Sequence, residues 1–324
     1  MLDVHQINVF LIAAQQMNFS EAARRLHMSQ PSVSQHIQAL EHHFGMQLFE
    51  RRGRHLALTE AGQTLLPLAR QLVNLSIQIE ESIESLHGEI AGHLTIGCCT
   101  TAGRYLLPKL LARFREIHPG VQVTCYVTDQ HTALEMQNEG KLQLTVVSER
   151  AYSKDMEFRK FITDPVILVV PPAHSWAERA SIEPQDLPQA DFIVREETSG
   201  TRRAVAQAFT NVGMNPDDLN VIMTLGTSQA ISIAVQEGIG VAFLTRMAAD
   251  DAVRRGDIVQ VQVNGMEISQ DVWVGRNVHH PATRAQNAFW EFVNDPENEL
   301  LINLRRGGEV GQTLCVVADD AEEE

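Results

Sequence analysis

The sequence predicts an α/β fold with an added head: two α/β lobes preceded by a compact helix-turn-helix segment and one long connecting helix. Three observations predict it. Capped, apolar-periodic segments crowd residues 1–58, a near-heptad apolar stripe runs through 59–90, and apolar strand runs then alternate with helical patterns over 91–300. The 324 residues suit two or three domains, and 44% apolar with 21% charged residues is the composition of a chain with a packed core.

Several classes drop out early. There is no uncharged apolar run long enough to span a membrane. The opening "MLDVHQINVF" has an early acid and no basic stretch before an apolar run, so it is not a secretory signal, and a cytoplasmic protein is expected. The sequence contains no Gly-x-Gly-x-x-Gly, phosphate-loop Lys, His-Glu-x-x-His or nucleophile elbow, so no enzyme, cofactor or catalytic residue is expected. Cys98, Cys99, Cys125 and Cys315 lack metal-ligand or disulfide spacing. Buried small side chains in strands are the expectation for them, with a thiol switch as the alternative.

The net charge of −15 argues against a polyanion until its distribution is read. In the first sixty residues Arg24, Arg25, Arg51, Arg52 and Arg54 balance Asp3, Glu21, Glu41, Glu50 and Glu60. The head is therefore neutral and the acidic excess lies downstream, which permits DNA binding at the head.

Ile7, Phe10, Leu11 and Ala14 recur at helical spacing and predict a first helix with one buried stripe. Ser20 is expected to cap a short second helix carrying Ala22, Ala23 and Leu26 inward. Ser29 is expected to cap a third, with Pro31 in its first turn, Val33, Ile37, Leu40 and Phe44 inside, and Gly45 ending it. Pro31, Gln35, Gln38 and His42 then point outward with Ser34 on the flank. Short uncharged amides and hydroxyls both donate and accept, as base edges require. Two short helices alone suit a small bundle as well as a DNA reader. The stretch "QLFERRGRHLALTEAG" favours the reader, because it predicts a hairpin with an arginine-rich turn, Arg51-Arg52-Gly53-Arg54, able to reach phosphates or a minor groove.

The run "NFSEAARRLHMSQPSVSQHIQALEHHFGMQLFERRGRHLALTEAG" resembles the head of the LysR-type transcriptional regulators. The resemblance implies a winged helix-turn-helix over 1–58 in which Gln30, Pro31, Ser34 and Gln35 approach bases or adjacent phosphates and wing residues Arg52 and Arg54 enter the minor groove. Ser29, Ser32 and Gln38 complete the expected DNA-binding set. His36 stands where many members carry Arg or Lys.

From Thr59, Ala61, Leu65, Leu68, Leu72, Leu75, Ile79, Ile83 and Leu86 follow spacings near a heptad, interrupted in composition by Pro67. Such a seam calls for a second chain or for the downstream domain. The resemblance favours the second chain: a homodimer, or tetramer, on a pseudo-palindromic double-stranded DNA operator, with RNA polymerase as a further candidate partner.

"GHLTIGCCTTAGRYLLPKLLARFREIHPGVQVTCYV" predicts strand, loop, amphipathic helix, Pro-Gly turn and strand, and further strands are expected at Leu142–Val147, "VILVV", "DFIVR", "NVIMTL", "GVAFL", "DIVQVQV" and "DVWVG", in largely parallel sheets. The layout resembles the same regulators' effector domain, itself like a periplasmic solute-binding fold. It implies lobe I at 91–164 and 267–300 and lobe II at 165–266. The tail, 301–324, is acidic and short of core-forming residues, so disorder is expected there from composition. Three hydroxyl-rich loops open helices: "CCTTAGR", "TSGTRR" and "GTSQAIS". Each reads as ordinary capping; together they suit a small polar or anionic effector. By resemblance Thr100 and Thr201 lead, followed by Thr101, Ser199, Arg202 and Thr227. The expected function is a ligand-responsive transcription regulator; the alternative is a solute-sequestering protein whose head serves assembly only.

Overall fold

A computed structural model describes residues 1–52, 55–84, 90–150, 154–280 and 282–295. The acidic tail, Gly53, Arg54, Leu86 and Cys315 lie outside the described residues. The chain divides into two compact units. Among the described residues, the first holds Met1–Arg104, Leu111–Lys160 and Asp271–Trp290; the second holds Tyr105–Leu110, Phe161–Gln270 and the stretch 291–295.

The first unit opens with α1 (Val4–Gln16), α2 (Phe19–Arg25) and α3 (Gln30–Phe44), then a hairpin of β1 (Phe49–Arg52) and β2 (His55–Leu58). Asn18, not Ser20, caps α2: its side chain accepts from the backbone N–H groups of Ser20 and Glu21. Both residues are good caps, and a helix starting at Phe19 brings that ring against Phe49. Ser29 caps α3 by accepting from Ser32 N–H at 3.3 Å, and Gly45 ends it at φ +67, a conformation that suits glycine. Val33, Ile37 and Leu40 are buried, but Phe44, expected inside, is 37% exposed because the helix stops there. The β1–β2 register pairs Phe49 with Leu58 and Arg52 with His55, so Arg51 and Arg52 belong to the strand and not to the turn.

The helix α4 (Glu60–Glu84) follows directly and runs through Pro67. Thr59 opens it, its hydroxyl accepting from Gly62 N–H and donating to the Gln47 carbonyl. Gly62 is required: a Cβ there would lie 2.2 Å from the Leu48 carbonyl oxygen. The expected seam divides in two. Ala61, Leu65 and Leu72 pack on the head's core with Ile7, Phe10, Leu40 and Ala69, whereas Leu68, Leu75, Ile79 and Ile83 are exposed.

Beyond the linker the first unit builds on β3 (Ala91–Cys98), which runs parallel to β4 (Gly120–Val127) and to β5 (Leu144–Val147). α5 (Leu107–Ile117) and α6 (Gln130–Asn138) connect these strands. Antiparallel to β5 lies the end of β12 (Ile268–Asn277). α10 (Arg284–Phe292) closes the unit, with Trp290 buried between the guanidinium groups of Arg159 and Arg276.

In the second unit β6 (Met156–Val170) pairs antiparallel with β10 (Ala242–Thr245) and β11 (Val259–Val263), and β11 pairs parallel with β7 (Ser181–Ile182). β8 (Asp191–Arg195) and β9 (Asn220–Leu225) form a parallel pair. α7 (Gly200–Asn211), α8 (Ser228–Gln236) and α9 (Arg246–Arg255) complete it. The strands are thus mixed and not largely parallel, because a short apolar run carries no record of strand direction. The chain changes unit inside β6 and inside β12, at Lys160–Phe161 and Gln270–Asp271.

Candidate DNA-reading surface and effector loops

The outer face of α3 is assembled at its capped N-terminus. Ser29, Gln30, Pro31, Gln35 and Gln38 are exposed, and Ser32 and Ser34 are half-buried beside them. Gln30 Nε2 donates to Ser34 Oγ at 3.0 Å, which pre-orients that pair along the helix. His36 does not join this face freely: its ring meets the edge of His5 on α1 at 5.0 Å. Arg52 pairs through its backbone with His55, and Arg54 lies outside the described residues.

What holds this face in place was not visible as a motif. Glu41, on the inner side of α3 and 9% exposed, accepts from Leu48 N–H at 2.8 Å and from Phe49 N–H at 3.3 Å. A single carboxylate oxygen thus fixes the start of the wing to the reading helix. The only sequence signal is an acid on the helix stripe that should be apolar.

The effector loops separate by unit. In the first, Thr100 and Thr101 are half-buried just after β3, leading into a π-helical turn over Ala102–Leu106. The Cys98 thiol at the end of β3 is buried and pushed up to about 12, by burial first and then by Cys125 and Cys99. A thiol that keeps its proton at neutral pH is a poor nucleophile, which disfavours attack from Cys98. Cys125, expected inside, is exposed on β4.

In the second unit Ser199 stands at the N-terminus of α7 and is buried without a side-chain cap bond. Thr201 is buried too, and its hydroxyl donates to Gln270 Oε1 at 2.8 Å. Arg202 is half-buried, and Thr201 and Arg202 border a small cavity of about 30 Å³. Thr227 caps α8 by accepting from Ala230 N–H at 3.1 Å.

Arg195 escaped sequence reasoning. At the end of β8 and 7% exposed, it donates from Nε and Nη2 to both carboxylate oxygens of Glu196, from Nη1 to Ser228 Oγ and from Nη2 to the Gly226 carbonyl. It therefore joins the loop before α7 to the loop before α8. Arg195→Met should cost about 2–3 kcal/mol, a buried-pair loss reduced because Glu196 is partly solvated. It should also lower the thermal midpoint of the full chain; an unchanged midpoint would mean the loops do not need the clamp.

Residues 4–63 match the family described as bacterial regulatory helix-turn-helix protein, lysR family, and residues 87–296 match the LysR substrate binding domain. Together they take in most of the chain. The chain belongs to the LysR family of transcriptional regulators. An uncharacterised HTH-type transcriptional regulator of Methanocaldococcus jannaschii is 31% identical over 90% of this chain and 98% of its own. A RuBisCO operon transcriptional regulator of Allochromatium vinosum is 28% identical, covering 90% of this chain and 95% of its own.

Among solved structures, full-length OxyR of Pseudomonas aeruginosa shares the fold with a TM-score of 0.71 at 21% identity, over 91% of this chain and 95% of that one. The regulatory domain of Synechocystis CcmR in complex with 2-PG gives 0.56 at 25% identity, over 62% of this chain and 95% of that one. This LysR-type chain is accordingly a DNA-binding, ligand-responsive transcriptional regulator with a helix-turn-helix head and a two-lobed α/β effector domain. Its relatives are regulators and not enzymes, and the sequestering alternative is set aside. Among the described residues no helix is long and apolar enough to cross a membrane.

Proposed function

We propose that this regulator works in the cytoplasm as a homodimer joined along α4, possessing two reading heads for a pseudo-palindromic operator. The reading set is Ser29, Gln30, Pro31, Ser32, Ser34, Gln35 and Gln38, with Arg52 and Arg54 in the minor groove. The observation that carries this is the exposed, uncharged N-terminal face of α3, held against the wing by Glu41. Side chains that both donate and accept suit base edges, whereas the wing arginines suit phosphates and a narrow groove. Gln35→Ala should relax base preference at one position, at a cost of about 1–3 kcal/mol. Arg54→Ala should weaken every duplex alike and reduce the salt slope by about 1. Competition binding with randomised operators reads both effects; unchanged affinity and selectivity in the two variants would remove this placement.

The effector in this proposal is a compact anion held by Thr100, Thr101, Ser199, Thr201, Arg202 and Thr227, with transcription changed through RNA polymerase at the operator. The relatives at RuBisCO operons and the 2-PG carried by CcmR support that ligand class. Thr201 would pass its hydroxyl hydrogen from Gln270 to the ligand. A thermal upshift of the full chain by 2-PG or a related small anion, lost in Thr201→Ala, is the expected result. An upshift that survives Thr201→Ala would move the ligand elsewhere.

A further inference from the structure

Within the first unit a cavity of about 230 Å³ lies where the linker helix meets the lobe. α4 contributes Asn74 and Gln78, β3 contributes His93, the segment after α6 contributes Lys141, and His280 and Gln286 close the far side. Its described lining contains no Asp or Glu, and it combines one ammonium, two imidazoles and several amides. Arg70, 6% exposed on α4, donates from Nη1 to the Glu139 carbonyl, and its Nε–H finds no acceptor among the described residues. Glu139 lies outside the lining and pairs with Lys141 and Arg70 from a half-exposed position. Gly140, at φ +70, keeps its backbone close to His280, Arg70 and Asn74.

We propose that this cavity is a second ligand site, distinct from the effector loops, that takes a compact oxyanion such as a phosphate or a short carboxylate. Lys141 supplies the charge, His93 and His280 line the same space with their imidazoles, and the amides of Asn74 and Gln78 supply donors from the linker. The site has room for several water-sized groups, which suits such an ion with part of its hydration. A ligand there bridges α4 to the lobe, adding to the bond that Asn74 Nδ2 already makes with the Gly140 carbonyl at 3.2 Å. It would therefore fix the linker to the lobe directly.

Binding has a defined pH dependence. His280 is held below the usual imidazole range, by burial first and then by His279 and Arg70. The groups around it are Arg70 with Glu139, His279 with Asp155, and the cavity's Lys141 and His93. An anion raises the value for His280, so binding takes up a proton and strengthens as pH falls through the ligand-bound value.

The test uses the full chain with inorganic phosphate and with succinate, each titrated to millimolar concentration at mildly acidic and mildly alkaline pH. Ring-proton signals of His280, assigned by their loss in His280→Gln, report binding. The expected result is a saturable shift, tighter at the lower pH, weakened about tenfold by Lys141→Gln and unchanged by Thr201→Ala. Lys141 is partly exposed, so its variant should fold. Absence of a saturable shift with both probes overturns the site. A shift abolished by Thr201→Ala but kept in Lys141→Gln overturns it as well, by placing the anion at the effector loops.

Discussion

Glu41→Ala should destabilise the head by about 2–4 kcal/mol, because the backbone N–H groups of Leu48 and Phe49 lose the acceptor they share. Both residues are buried, so water cannot readily replace it. Amide hydrogen exchange of the full chain is the direct measurement: Leu48 and Phe49 should lose protection together, and operator affinity should fall because the wing is no longer held to α3. Glu41→Gln keeps one acceptor oxygen and should recover most of the stability. Equal loss in both variants would mean the negative charge, and not the hydrogen bonds, holds the wing.

The second large effect concerns α4. Ile79 and Ile83 are 58% and 62% exposed on a described surface that leaves Leu68 and Leu75 exposed on the same helix. Ile79→Glu with Ile83→Glu places charge on that stripe without touching the head's core. The double variant should sediment as a monomer, and operator affinity should drop by about two to four powers of ten as the second head loses its tethered advantage. A variant that remains dimeric would assign the pairing surface to the lobes instead.

Much of this fold was legible because local chemistry fixed it. Ser29 and Gly45 bound α3 as the sequence predicts, since a hydroxyl cap and a left-handed glycine act within one turn. Where two neighbours offered the same chemistry, spacing could not choose, and Asn18 took the cap expected of Ser20. A heptad count identifies apolar positions on α4 but not what covers them: the head covers Leu65 and Leu72 and leaves Leu75 exposed. Strand direction in the second unit was hidden for a related reason, because pairing with β6 is decided far along the chain.

The candidate sites divide along the same line. Outward positions on α3 follow from helical geometry alone, so Gln35 and Gln38 could be read as exposed. Glu41, Arg195 and Gln270 could not, because each acts on residues distant in sequence: Leu48, Ser228 and Thr201. A buried charge or amide has no sequence signature beyond looking misplaced on an apolar stripe or at a strand end.

The uncharged face of α3 also governs how the protein finds its site. With Arg and acid balanced in the head and no charge on the outer side of that helix, few phosphate contacts are available before the bases are read. Random-sequence duplex should therefore hold the protein only briefly, and the acidic remainder of the chain adds repulsion. Search along the chromosome should proceed by frequent release and recapture, with short sliding runs. Residence time should be long only where amide and hydroxyl groups meet matching base edges.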